Sequence, residues 1–254
     1  MLYFALCQGD LLLTTDNAIP HDLSNVIELH PWHKQIKFST PSGIDCVAVK
    51  LEYPVCKDGY KMMGLRETFE VLDGEHYALA GKARELLYWN DNSQYCGVCG
   101  SPMQFHTNIS KRCINCGKEV WPALATAIIV AITRGEEILL VQSKNFRGDY
   151  MGLVAGFVET GETLEEAVRR ETLEETGITI KNLQYAGSQA WPYPSGLMIG
   201  YTAEYESGEL HIQRSELNKG GWYNLRKLPA IPGKVSLARQ LIDKVKADII
   251  GSDD

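Results

Sequence analysis

Glu171, Glu174 and Glu175 are separated by three and four positions, so on a helix their side chains share one face. The segment around them carries its own helix boundaries. Thr163 and Glu166 have capping-box spacing, and Gly177 suits a left-handed C-terminal stop. Leu164, Ala167 and Val168 fall on a different face, suited to packing on a sheet. Three clustered carboxylates repel one another unless a cation lies among them. Magnesium and manganese accept carboxylate, water and phosphate oxygens together. Such a face can hold divalent metal against a pyrophosphate. For a generic Glu-rich helix the alternative is a solvated charged surface.

A second cluster is Cys96-x2-Cys99 and Cys113-x2-Cys116, with Gly100 and Gly117 free to take the tight turn after each pair. Four thiolates satisfy tetrahedral zinc and leave no position for water, so this site reads as structural. Iron in the same geometry is left open. A nucleic-acid-reading ribbon is the functional rival, since Lys111, Arg112 and Lys118 lie in the insert. The other cysteines, Cys7, Cys46 and Cys56, lack metal-like spacing and read as small buried hydrophobes.

Both clusters need elements to position them. Residues 1 to about 70 read as short strands: the N-terminal run to Cys7, Leu11–Leu13, Val26–Leu29, Ile44–Val49 and Leu51–Tyr53, with turns at Pro41–Gly43 and Asp58-Gly59. Leu72 to Trp89 has helical periodicity, and Asn90–Ser93 reads as its end and a linker. After the cysteine insert, Ala127–Ile132 suits a buried strand and Glu137–Val141 its hairpin partner. The glutamate helix should span about Leu164 to Glu175. Strands are expected near Gln184–Ala190, Leu197–Tyr205 and Gly220–Tyr223, and a last helix from about Val235 to Ile249.

The 254 residues, 44% hydrophobic and 22% charged, suit about two globular units and disfavour disorder. No run is long and apolar enough for a bilayer, and no export or lipidation signal is evident, so a cytoplasmic home is expected. The net charge of −7 argues against a general nucleic-acid binder and suits an enzyme whose carboxylates hold metal.

The full pattern around the glutamates is Gly156, five residues, Glu162, seven residues, Arg170-Glu171, Thr172, one residue, Glu174-Glu175, one residue, Gly177-Ile178. It resembles the Nudix box, with Thr172 where that family has an aliphatic residue. With a four-cysteine ribbon directly before it, the chain is similar to the NADH pyrophosphatase subfamily. A further marker of that subfamily reads here Ser188-Gln-Ala190-Trp191-Pro-Tyr193-Pro-Ser-Gly196. Ala190 stands for a proline, Tyr193 for a phenylalanine and Gly196 for a serine.

The resemblance implies an α+β fold: a Nudix α/β/α sandwich with a mixed sheet, preceded by a zinc ribbon and a β-rich N-terminal domain. The boundaries expected are 1–89, 90–119 and 120–254. It implies hydrolysis of NAD(H) to NMN(H) and AMP, removal of NAD caps from RNA, and a homodimer. It implies Mg²⁺ or Mn²⁺ held by Glu171, Glu174, Glu175 and Glu216, with Glu175 most needed for the chemistry and Arg170 holding the carboxylates. Phe157, Trp191 and Trp121 are expected to stack on bases, Gln189 to donate to the substrate, and Ala238 to approach the nucleotide through its backbone. His106 and His211 read as surface residues. Two rival functions remain at this stage. One is a Nudix hydrolase for ADP-ribose or dinucleoside polyphosphates, supported by the altered loop. The other is a Nudix-based ligand sensor or RNA-binding regulator, whose signature would be loss of a metal-binding glutamate.

Overall fold

The computed structural model describes residues 1–28, 34–40, 42–146 and 148–251. Leu29 of the expected third strand, Pro41 of the expected turn and residues 252–254 lie outside the described residues. The chain forms two compact units, Met1–Leu124 with Ala190–Ser195, and Ala125–Gln189 with Gly196–Asp254.

The first unit begins with β1 (Leu2–Cys7), β2 (Asp10–Thr14), β3 (Gln35–Ser39), β4 (Asp45–Lys50) and β5 (Tyr60–Gly64) in one sheet of order β3-β4-β1-β2-β5. The β1/β4 pair is parallel and the other pairs are antiparallel. Alternation along the strands divides their side chains between two faces. Phe4, Leu6, Leu11 and Leu13 pack with Leu79, Ala80, Ala83, Leu86 and Leu87 of helix α1 (Gly74–Asn92). Ala5, Cys7, Leu12, Val47 and Val49 pack with Leu23 and Leu51 on the other face. Asp73 caps α1 by accepting from the His76 amide, so the helix starts two residues later than its apolar pattern does.

Three local expectations are corrected. Val26 to Glu28 form no strand, because the Val26 and Ile27 amides turn back to the Leu23 carbonyl. Leu51–Tyr53 is not a separate strand either; the Leu51 amide prolongs the β1/β4 pairing by donating to Leu6. Asn90–Ser93 is no free linker, since α1 runs to Asn92 and both Asn90 and Ser93 are buried.

The ribbon strands β6 (Met103–Thr107), β7 (Ser110–Cys113) and β8 (Glu119–Val120) form a small antiparallel sheet. Lys111 anchors it to α1. The lysine is buried between the Trp89 and Phe105 rings and donates to the Asn90 and Ser93 carbonyls at 3.0 and 3.1 Å. The ribbon therefore packs in the same unit as residues 1–89.

The second unit is built on β9 (Ala125–Arg134), β10 (Glu137–Ser143), β11 (Val154–Phe157), β12 (Thr179–Trp191), β13 (Gly196–Ser207) and β14 (Leu217–Asn224). The sheet order is β12-β13-β9-β10-β14, with β11 pairing β9, and β13 runs parallel to β9. Ile128, Val130 and Ile132 pack with Ala167 and Val168 of α2 (Leu164–Thr176). Ile129 and Ala131 pack with Leu241, Ile242 and Val245 of α3 (Leu237–Ile250). A strand covered on both faces must be apolar throughout, which explains the unbroken run in β9. The layers are helix, mixed sheet, helix. Among the described residues no helix is long and apolar enough to cross a membrane.

Candidate active site and metal centre

Helix α2 starts in a complete capping box, with the Thr163 hydroxyl accepting from the Glu166 amide and Glu166 accepting from the Thr163 amide. It ends at Gly177, whose φ of 72° is the left-handed stop. These caps fix the register of Arg170, Glu171, Glu174 and Glu175.

Arg170 is the hub. Its Nε and one terminal nitrogen bind both oxygens of Glu162 at 2.5 and 3.0 Å, and that nitrogen also donates to the Phe157 carbonyl at 3.0 Å. The other terminal nitrogen reaches Glu171 at 2.8 Å and Glu174 at 3.1 Å. The guanidinium ties the loop that follows β11 to the glutamate helix. Hydrogen bonding to Arg170, with help from the Glu159 amide, pulls the Glu162 carboxyl down to about 2. Glu162 was not among the expected site residues, although its fixed place in the box was the signal.

Gly156 lies under Glu171. A β-carbon there would fall 2.1 Å from the Glu171 carboxyl carbon. Burial raises the Glu171 pKa despite the Arg170 contact. Glu175 is buried, and one of its carboxylate oxygens has no hydrogen-bond partner among the described residues. Burial, reinforced by the charges of Glu171, Glu216 and Glu174, pushes Glu175 up to about 8. Glu216 is placed in this field by the segment that closes the end of α2. In that segment His211 donates to the Thr176 carbonyl and Gln213 to the Glu175 carbonyl, both at 2.9 Å.

A hard divalent cation fits this donor set: four carboxylates within one field and an orphaned buried oxygen on the innermost. Among the described residues, however, only the four cysteines form a group of three or more whose ligand atoms all lie within 4.8 Å of one another. Glu171 and Glu174 turn instead toward Arg170.

The cysteine cluster fits a tetrahedral thiophilic ion. The Sγ atoms of Cys96 and Cys116 are 3.6 Å apart, and those of Cys99 and Cys113 are 3.5 Å apart. Tetrahedral zinc at about 2.3 Å from each sulfur needs roughly this separation. The Ser101 backbone and hydroxyl hold the Cys99 thiol down at about 6. The Lys118 amide draws Cys116 down, yet the Cys99 thiol beside it, with burial, drives it to about 12. Four sulfurs this close ionise together only around a cation. The insert offers little basic surface: Lys111 is buried and Arg112 pairs with Glu119 at 3.0 Å. Of the other cysteines, Cys7 and Cys46 are buried as expected, but Cys56 is exposed.

The expected substrate contacts separate. Phe157, 65% exposed, belongs to the second unit, whereas Trp121, 56% exposed, and Trp191 belong to the first. Both ends of the Gln189 amide bind the chain, donating to the Val235 carbonyl and accepting from the Leu237 amide, each at 2.7 Å. Gln189 thus fixes the entry to α3, and its NH2 group carries a second hydrogen beyond the one that Val235 accepts. Ala238 is buried in the first turn of α3. His106 and His211 are exposed.

Comparison with known proteins agrees with this architecture. Residues 122–245 match the NUDIX domain, and residues 2–89 match the NADH pyrophosphatase-like rudimentary NUDIX domain. The chain is 38% identical to an NAD-capped RNA hydrolase NudC of Stutzerimonas stutzeri, over 91% of this chain and 87% of the relative. It is 36% identical to a protein of the same name from Deinococcus radiodurans, over 98% and 88%. A NUDIX hydrolase crystal structure from Nitrosomonas europaea shares the fold, with a TM-score of 0.52 and 19% identity over 62% of this chain and 90% of that one. A capped glutamate helix on a two-faced mixed sheet, a four-cysteine ribbon and a match to these relatives over most of both chains lead to one conclusion: the chain belongs to the NADH pyrophosphatase subfamily of the Nudix hydrolases.

Proposed function

We propose that the protein hydrolyses the pyrophosphate bond of NAD(H) to NMN(H) and AMP, and acts on the same bond in NAD-capped RNA. The observation that carries this reading is Glu175, a buried carboxylate with an unpartnered oxygen in the field of Glu171, Glu174 and Glu216. Those four residues would hold Mg²⁺ or Mn²⁺. Bound there, a divalent ion neutralises the pyrophosphate and acidifies a water. Glu175 is the group assigned to the attacking water, as ligand or base. Arg170 orients Glu171 and Glu174 and keeps Glu162 ionised. The exposed Phe157 ring and the Trp191 indole are assigned to base stacking, with Trp121 as a further aromatic wall and the α3 backbone at Ala238 as a nucleotide contact. Zn²⁺ in the cysteine cluster is structural. A cytoplasmic homodimer completes the reading; the activity on NAD-capped RNA draws support from the names of the relatives.

The test is a product assay with Mg²⁺ or Mn²⁺ on NADH, NAD⁺, ADP-ribose, diadenosine polyphosphate and NAD-capped RNA side by side. Cleavage of NADH to NMNH and AMP as the fastest small-molecule reaction is expected. Faster turnover of ADP-ribose or the dinucleoside polyphosphate would keep the Nudix chemistry and move the specificity to the loop altered at Ala190 and Gly196. Absence of turnover on all five would leave a sensor or regulator.

A further inference from the structure

The segment Ala190–Ser195, the last two residues of β12 and the turn after them, belongs to the first unit although the sequence on either side belongs to the second. Four contacts hold it. The Arg66 guanidinium lies over both aromatic rings of the loop, 5.0 Å from Trp191 and 4.3 Å from Tyr193. Arg84 covers Tyr193 as well, at 5.0 Å. The Tyr77 and Tyr193 hydroxyls are hydrogen-bonded at 3.1 Å. The Ser195 hydroxyl donates to the Ala123 carbonyl at 3.1 Å, two residues after Trp121. Gly81 gives a separate indication. Glycine inside a helix is destabilising against alanine. At Gly81, in the middle of α1, a β-carbon would meet the Pro192 ring at 3.1 Å. The helix thus carries its glycine where the loop lies against it. Trp191 and Tyr193, at 5.1 Å and 69°, brace each other edge to face.

We propose that the first unit is the mount of the Ala190–Ser195 segment, with Arg66, Arg84, Tyr77 and Gly81 as positioning residues that set the attitude of the Trp191 indole. This gives the rudimentary N-terminal domain a role in binding, and it rests on the reading of Trp191 as a stacking residue. A rigid indole stacks without an ordering cost at the moment of binding, so loosening the mount weakens substrate binding more than the chemical step.

The full-length, zinc-loaded protein has five tryptophans, so 5-fluorotryptophan labelling gives resolvable ¹⁹F resonances, and the one lost in Trp191→Phe belongs to Trp191. Arg66→Ala and Gly81→Leu are both expected to shift and broaden that resonance. They should raise KM for NADH on the order of fivefold with little change in kcat. Arg66→Lys should recover part of the loss. The double variant Arg66→Ala/Trp191→Ala should have a KM no higher than Trp191→Ala alone, because the mount acts through the indole. An unmoved Trp191 resonance in both Arg66→Ala and Gly81→Leu overturns the mount itself, as does additivity in the double variant. A normal KM in Trp191→Ala overturns the stacking reading, and the positioning role falls with it.

Discussion

Glu175 is placed where a carboxylate is worst tolerated unless a cation joins it. Its folded pKa of about 8 lies above the ordinary 4.5, so the folded protein binds that proton more tightly than the unfolded chain does. The sign follows. Without added Mg²⁺ or Mn²⁺, the stabilising contribution is complete below pH 4.5 and is lost as pH rises through about 8. Glu175→Gln should therefore melt higher than the parent at alkaline pH in magnesium- and manganese-free buffer, with the gap closing toward pH 4.5. The same variant should lose turnover by ~100-fold or more. Near-normal turnover would remove Glu175 from the chemistry, and parallel melting curves across pH would contradict its buried charge. Thr172 poses a smaller conflict. It is fully buried in place of the family's aliphatic residue, and its hydroxyl has no hydrogen-bond partner among the described residues. Thr172→Val keeps the shape and removes the unsatisfied group, so it should stabilise by about 1 kcal/mol in urea titration with activity retained. A loss of stability would mean that the hydroxyl has a partner in solution.

At the scale of elements, what was legible in the sequence was local. The capping box and Gly177 lie within the segment they delimit, and α2 has the ends those residues dictate. The buried run of β9 and its hairpin with β10 follow from apolar periodicity and the Arg134-Gly135-Glu136 turn. Edge strand β5 escaped notice because its half-buried residues carry no alternation, whereas Gln35–Ser39 of β3 does alternate and offered a signal in only two apolar residues, Ile36 and Phe38. Conversely, Val26–Glu28 has strand-like composition but satisfies its amides within a turn on Leu23. The Gly156 of the box shows how an element can be shaped by its neighbour. Strand β11 passes so close to α2 that the Glu171 carboxylate occupies the space of a β-carbon. Gly156→Ala must displace Glu171 or part the strand from the helix. We expect manganese affinity, read by electron paramagnetic resonance, to fall by roughly 10–100-fold, with kcat falling alongside. An unchanged affinity would show that Glu171 is not needed to hold the ion.

At the scale of the whole molecule, sequence reading loses sight of partners far apart in the chain. The backbone groups bound by Gln189 lie 46 and 48 residues away, and the hydroxyl that meets Tyr193 lies 116 residues away. Neither periodicity nor motif spacing encodes such pairs. The ribbon shows the same limit. Its four cysteines were legible, yet its union with the N-terminal domain depends on Lys111, which reads as a surface cation and is in fact buried. The lysine stem fills the gap between Trp89 and Phe105, while its ammonium closes the carbonyls of Asn90 and Ser93 at the end of α1. Because Lys111 precedes Cys113 on β7, an ion held by the cysteines would be mechanically linked to the last turn of α1. Cys96→Ser should lose the ribbon metal by elemental analysis and lower Tm by on the order of 10 °C. It should also raise amide hydrogen exchange beyond the ribbon, at Asn90–Ser93, while the core of β9 keeps its protection. Retained metal would refute the four-thiolate site. Metal loss with unchanged exchange at Asn90–Ser93 would show instead that the ribbon folds independently of α1.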